Sequence, residues 1–203
     1  MTRLHRELVD ALLERIVSGS YAAGEMLPKE QALAAEFELS RGTVREAIRA
    51  LEERGVVAVK HGRGARVQPS EEWNVLDAAV ARALAASGRR REFLRELREY
   101  RKLLESEAAA LAAERATARQ RERLRVRAEE LADAEDLGSA AGRLRRLVAV
   151  ASGSRPLAAT LRAMDKAIAP QAGSKDADAF RHLAEAIADG DAAAARAAAS
   201  ELN

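Results

Sequence analysis

The chain has 203 residues, with 34 basic and 32 acidic side chains, a net charge of +2 and no cysteine. A length of this order accommodates one domain or two small ones. Without thiols there can be no disulfide scaffold, no thiol nucleophile and no Cys-based zinc or iron–sulfur centre, and no run of uncharged apolar residues is long enough for a membrane span. The N-terminal segment is charged throughout and lacks the apolar core of a signal peptide, so the expected compartment is the cytoplasm. Alanine contributes 48 residues and aromatic residues only 3%, a composition that favours helix over sheet.

In chain order, Leu4, Leu8, Leu12 and Ile16, with Val9 and Leu13 beside them, recur every three or four positions and predict an amphipathic helix ended by Gly19. Leu27-Pro28 then opens a short helix, Pro being favoured in a first turn, with Leu33 and Phe37 on one face. A turn at Glu38-Leu39-Ser40 leads to a third helix, for which Ser40 reads as the N-cap. Val44, Ala47, Ile48 and Leu51 form its buried side, and Gly55 closes it. The β-prone runs Val56–Lys60 and Ala65–Val67 flank His61-Gly62-Arg63-Gly64 and predict a hairpin. The order of helix, helix, turn, helix and hairpin is that of a winged helix-turn-helix.

The segment Gln68–Glu72 is polar and contains Pro69, and reads as a linker. The expected division is therefore residues 1–69 and 70–203. The second part reads as all-helical. Helices are expected over Val75–Ala86 and Arg91–Arg115, then from Thr117, where Gln120 completes a capping box. Further helices are expected over Ala140–Ser152, from Pro156 to Pro170, from Asp176 to Asp189 and from Asp191 onward, with a loop at Gln171–Lys175. The fold class is mainly α, a winged helix-turn-helix followed by a helical bundle.

Charge is concentrated locally. From Arg41 to Val67, the basic residues Arg41, Arg45, Arg49, Arg54, Lys60, Arg63 and Arg66 face only Glu46, Glu52 and Glu53, whereas residues 71–203 are nearly neutral. Arg41 and Arg45 lie at the start of the third helix, away from its apolar face. A recognition helix presents that end to base edges in the major groove, where Arg can fork onto guanine O6 and N7. Gly42 lets the backbone approach DNA, Thr43 can donate to a phosphate, and the helix N-terminus, capped by Ser40, itself favours one. Arg49 and Arg63 extend the basic surface, and the His61-Gly62-Arg63-Gly64 tip is small enough for a minor groove. An exposed Arg is also what any solvated helix face presents.

Ile16-Val17-Ser18-Gly19, Gly24-Glu25-Met26-Leu27-Pro28, Leu39-Ser40-Arg41-Gly42-Thr43-Val44-Arg45-Glu46-Ala47 and Leu51-Glu52-Glu53-Arg54-Gly55-Val56-Val57 together resemble the signature of GntR-type bacterial repressors. The resemblance implies operator contacts from Arg41, Thr43, Arg45, His61 and Gly62. Gln31 stands where FadR-type members often carry Arg, which alters one expected contact.

The second part resembles the all-helical, effector-binding FCD domain of the FadR-type subgroup, on Leu97–Glu105, Leu111–Thr117, Ala151-Ser152-Gly153-Ser154 and Ala186–Ala192. Many such domains hold a metal through one Asp and three His. The resemblance puts Ala141 in the Asp slot and Arg145, Phe180 and Leu202 in the His slots. The only histidines are His5, His61 and His182, and His182 is two positions out of register, so no metal or other cofactor is expected. Arg145 would instead offer positive charge and, with Arg101, grip a small carboxylate or phosphate effector. The alternative is an internal salt bridge such as Arg101–Glu105, or Arg145 snorkelling outward.

The resemblance implies a ligand-responsive repressor, not an enzyme, that binds an inverted-repeat operator in double-stranded DNA as a homodimer, without membrane attachment. The other reading is a ligand-independent DNA-binding protein whose helical part serves dimerisation or partner recruitment.

Overall fold

The computed structural model describes residues 3–60, 63–131, 134–167 and 176–202. The protein divides into two compact units, Met1–Leu94 and Arg95–Asn203.

In the first unit, α1 (Arg3–Val17), α2 (Glu30–Glu36) and α3 (Arg41–Glu53) precede the hairpin of β1 (Val57–Lys60) and β2 (Gly64–Val67). Leu8, Leu12 and Leu13 of α1, Leu33 of α2, and Val44 and Leu51 of α3 form a core almost free of solvent. That pattern is the apolar stripe seen in the sequence, and burying each such side chain stabilises the unit by about 1.5–3 kcal/mol. The strands pair antiparallel with Val57 opposite Val67 and Lys60 opposite Gly64. The free edge of β2 is taken up by Gly24–Leu27: Leu27 N–H donates to the Ala65 carbonyl at 2.8 Å and Val67 N–H to the Glu25 carbonyl at 2.8 Å. The loop after α1 thus covers one edge of the wing.

Helix α2 opens at Glu30, two residues later than Pro28 suggested, with Lys29 in the N-cap position. The polar joint after the wing is ordered on the unit. Ser70–Glu72 form one 3-10 turn, Trp73 is buried, and its indole N–H donates to the Gln68 carbonyl at 3.0 Å. Helix α4 (Ala78–Ala86), capped by Asp77, packs on α1.

In the second unit, the greater part of α5 (Arg90–Arg115) is followed by α6 (Ala118–Glu129), α7 (Leu137–Ala151), α8 (Arg155–Ala167), α9 (Asp176–Asp189) and α10 (Ala192–Glu201). Neighbours in sequence pack together, α6 on α7, α7 on α8 and α9 on α10, and α6 also meets α9. Buried Ala108, Ala109, Ala112 and Ala113 give α5 a small-residue face, while Phe180 and Ile187 fill the interior from α9. The Thr117–Gln120 capping box is present at α6. Helix α7 begins three residues before the expected Ala140, because the Asp136 carboxylate accepts from Ser139 N–H at 3.0 Å and caps it. Arg121 donates to the carbonyls of Ala113, Ala116 and Ala188, closing the C-terminal ends of α5 and α9 together. The expected helix end at Pro170 and the loop Gln171–Lys175 lie outside the described residues. Among the described residues, no helix is long and apolar enough to cross a membrane.

Candidate nucleic-acid interface and the arginine cluster of the second unit

Helix α3 is fixed before its basic residues can do anything. The Ser40 hydroxyl accepts from Thr43 N–H at 3.1 Å, and the Ser40 and Thr43 hydroxyls lie 2.9 Å apart. This cap satisfies one of the orphan donors of the first turn and leaves the others facing outward. Arg41, Gly42, Arg45 and Arg49 are all exposed on α3, and Thr43 is half-buried beside them.

Two of the arginines are parked on carboxylates. Arg45 reaches Glu30 of α2 at 3.5 Å, and Arg49 reaches Glu46 at 3.2 Å. Both pairs are largely exposed, and such pairs contribute about 0–1 kcal/mol, so they yield readily to a phosphate or a guanine edge. Arg41 makes no ion pair among the described residues. Gln31 is exposed in the first turn of α2, next to the Glu30 that reaches Arg45.

The wing is tied to the same helix. The Glu52 carboxylate, on α3, accepts from Val59 N–H in β1 at 2.9 Å. Arg63 is exposed, and its N–H donates to the Lys60 carbonyl at 2.9 Å in the turn of the hairpin. His61 and Gly62 lie outside the described residues. The unit therefore brings Gln31, Ser40, Arg41, Gly42, Thr43, Arg45 and Arg49 onto α3 and the neighbouring turn of α2, with Arg63 on the tethered hairpin. One feature of this face carried no sequence signal. An open groove of about 490 Å³ runs along α3 past Gly42, Thr43, Glu46 and Arg49 and is closed at one side by His5, a buried residue of α1.

The C-terminal end of α3 is held by Arg54. Its guanidinium donates to Asp77 Oδ1 at 3.0 Å and to the Ala50 carbonyl at 2.5 Å. Burial works against the charge of Asp77, but the Ala79 N–H and the Arg54 guanidinium more than offset it and hold its carboxyl below the usual range.

In the second unit, Arg101 and Arg145 meet a carboxylate between them. Arg101 Nε donates to Glu105 at 2.7 Å and Nη2 to Asp165 Oδ1 at 2.7 Å. Arg145 Nε lies 3.3 Å from the same Glu105 oxygen, and its guanidinium stands over the Phe180 ring at 5.1 Å. Arg146 approaches the second oxygen of Asp165 at 3.5 Å. The Arg101–Glu105 pair is thus formed, and Arg145 is buried at 6% exposure rather than snorkelling to solvent. Burial opposes the charge of Arg101, yet Glu105 and Asp165 keep its pKa above the ordinary value. Beside the cluster lies a cavity of about 110 Å³ whose apolar walls are Ala149, Val150, Ala158 and Leu161.

The positions Ala141, Arg145, Phe180 and Leu202 do not fit a metal ion. A guanidinium repels a cation, and Ala, Phe and Leu side chains offer no lone pair. His182 is exposed. Among the described residues, no group of three or more His, Asp or Glu side chains is placed to hold a metal.

Residues 4–67 match the family described as bacterial regulatory proteins, gntR family. Residues 96–202, more than half of the chain, match the FCD domain. The chain belongs to the GntR family, with an FCD domain. Among similar GntR-type proteins, the galactonate operon transcriptional repressor of Escherichia coli is 37% identical over 110 residues, 54% of this chain and 48% of its own length. The transcriptional regulator LutR of Bacillus subtilis is 37% identical over 120 residues, 59% of this chain and 53% of its own. The chain spans about half the length of the curated relatives it matches. Two solved structures share the fold. Lar, described as controlling expression of the Listeria monocytogenes agr system, gives a TM-score of 0.61 at 20% identity over 99% of this chain and 93% of that one. A Streptococcus agalactiae GntR gives 0.53 at 24% identity over 97% and 96%.

Proposed function

We propose that this GntR-family protein is a sequence-specific, DNA-binding transcriptional regulator that acts as a homodimer on an inverted-repeat operator. The observation that carries the reading is the capped α3 N-terminus, with exposed Arg41, Arg45 and Arg49 on it and the hairpin tethered alongside through Glu52. Base reading falls to Arg41 and Arg45. Phosphate positioning falls to Thr43, the α3 N-terminus and Arg49, with Gln31 from the first turn of α2 and His61, Gly62 and Arg63 from the sequence between the two strands. Repression rather than activation follows the relatives, one of which is named as a repressor. The protein works in the cytoplasm and is not an enzyme.

DNA reading is assigned to residues 1–69, and effector binding and dimerisation to residues 70–203, of which residues 70–94 belong to the first compact unit. Exposed Tyr100 and Leu103, three positions apart on α5, support a dimer surface there. The FCD domain supports a small-molecule effector, with Arg101 and Arg145 at its site. A gel-shift titration with the protein's own promoter region at low ionic strength tests the central claim. No retarded species at micromolar protein would overturn it.

A second reading is a DNA-binding protein that answers no ligand. It is favoured by one observation: Glu105 and Asp165 already neutralise Arg101. A thermal-shift screen of small anions separates the two, since a ligand of the native state must raise its stability.

A further inference from the structure

Asp165 is placed as a bound anion would be. It projects from α8, and its two carboxylate oxygens are taken by guanidiniums from two other helices, Oδ1 by Arg101 of α5 at 2.7 Å and Oδ2 by Arg146 of α7 at 3.5 Å. Its side chain is only 13% exposed. A carboxylate so enclosed is retained only where charge-assisted bonds replace its water. Glu105 is engaged by Arg101 and Arg145, and the cavity lining brings a fourth guanidinium, Arg162, for which the described residues show no carboxylate partner. Among the described residues, the cluster thus brings four guanidiniums around two carboxylates. It opens on a space of about 110 Å³ whose other walls are aliphatic, enough for the body of a short-chain acid.

We propose that Arg101 and Arg146 form a carboxylate seat that α8 fills from within through Asp165, and that a small carboxylate anion enters the adjoining cavity by displacing that side chain. The second half rests on the reading of this domain as an effector domain. Asp165 is then an internal competitor. Being tethered, it acts at a high effective concentration, so an external carboxylate binds weakly until the tether is cut. Occupation of the seat by the external anion and attachment of α8 through Asp165 exclude one another, so the ligand acts through its different affinity for the two arrangements of α8.

The test is thermal unfolding of the full chain with formate, acetate or propionate, each against chloride at equal ionic strength. Asp165→Ala should unfold several degrees below the wild type, and formate or acetate should raise its midpoint saturably beyond the chloride control. The wild type should need at least about tenfold more anion for the same shift, and Asp165→Asn, whose amide keeps the space occupied but has no charge and only one acceptor oxygen for the two guanidiniums, should show no carboxylate-specific gain. Equal responses of wild type and Asp165→Ala, or none in Asp165→Ala, would overturn the proposal. If Asp165→Ala does not fold, hydrogen exchange decides on Asp165→Asn: loss of protection in α8 relative to α7 supports the seat, and unchanged protection sinks it. A promoter gel shift on the same preparations separates the two readings. Missing rescue with intact DNA binding defeats the seat alone, whereas missing DNA binding with intact rescue defeats the regulator reading alone.

Discussion

Arg54 and Asp77 stand 23 positions apart in sequence and 3.0 Å apart in space, and the same Asp77 carboxylate accepts from Ala79 and Val80 N–H at the start of α4. One side chain thus joins the end of α3 to the beginning of α4. Because its folded pKa is depressed, the unfolded chain binds the Asp77 proton more readily. The stabilisation is complete above the unfolded value of about 4 and is lost as pH falls through the lower folded value. Asp77→Asn should therefore be less stable at neutral pH and should lose less stability between pH 5 and about pH 2, as urea midpoints would show. Parallel acid limbs for the two proteins would rule out this role.

Arg45→Ala should flatten base preference rather than abolish binding. A bidentate guanine contact discriminates by about 1–3 kcal/mol, and the Glu30 pair that must open first is exposed and weak. Competition titrations with single-base operator variants would reveal it. An unchanged ranking of the variants would remove Arg45 from the reading surface.

Phosphate neutralisation makes a different signature. Affinity should fall steeply with salt, and Arg63→Ala should lower the log–log slope by about one if it holds one phosphate, without changing sequence ranking. Binding that ignores salt would exclude a duplex partner.

Gly55 and Gly24 both have positive φ, +71° and +85°. A side chain at Gly55 would overlap the Glu72 carbonyl oxygen, whereas Gly24 has nothing near. Gly24→Ala should cost only backbone strain, about 1 kcal/mol. Gly55→Ala should cost at least about 2 kcal/mol, because the turn after α3 and the Glu72 backbone must separate. Denaturation of the two variants side by side checks the difference.

Much of the first unit was legible because its signals are local. Periodicity marks α1, Ser40 marks the start of α3, and the glycine tip marks the hairpin. The cover that Gly24–Leu27 lays over β2 was not legible, since backbone pairing leaves no side-chain pattern. In the second unit the Thr117–Gln120 box was readable. The Asp136 cap is not legible, because Gly138 and Ser139 give the first turn of α7 the composition of a loop. At the arginine cluster, Glu105 could be found four residues from Arg101, but Asp165 lies 64 residues away, beyond any local rule. That distant partner turns a pair of candidate anion grips into an ion-paired network spanning α5, α7 and α8.

Arg121 shows how late the second unit can close. Two of its acceptors, Ala113 and Ala116, precede it in the chain, but the third, Ala188, is 67 residues downstream. During synthesis α5 and α6 leave the ribosome with that guanidinium incompletely engaged, and only the last stretch of translation delivers the end of α9. A nascent chain stalled before Ala188 would carry a finished reading head on an unfinished bundle.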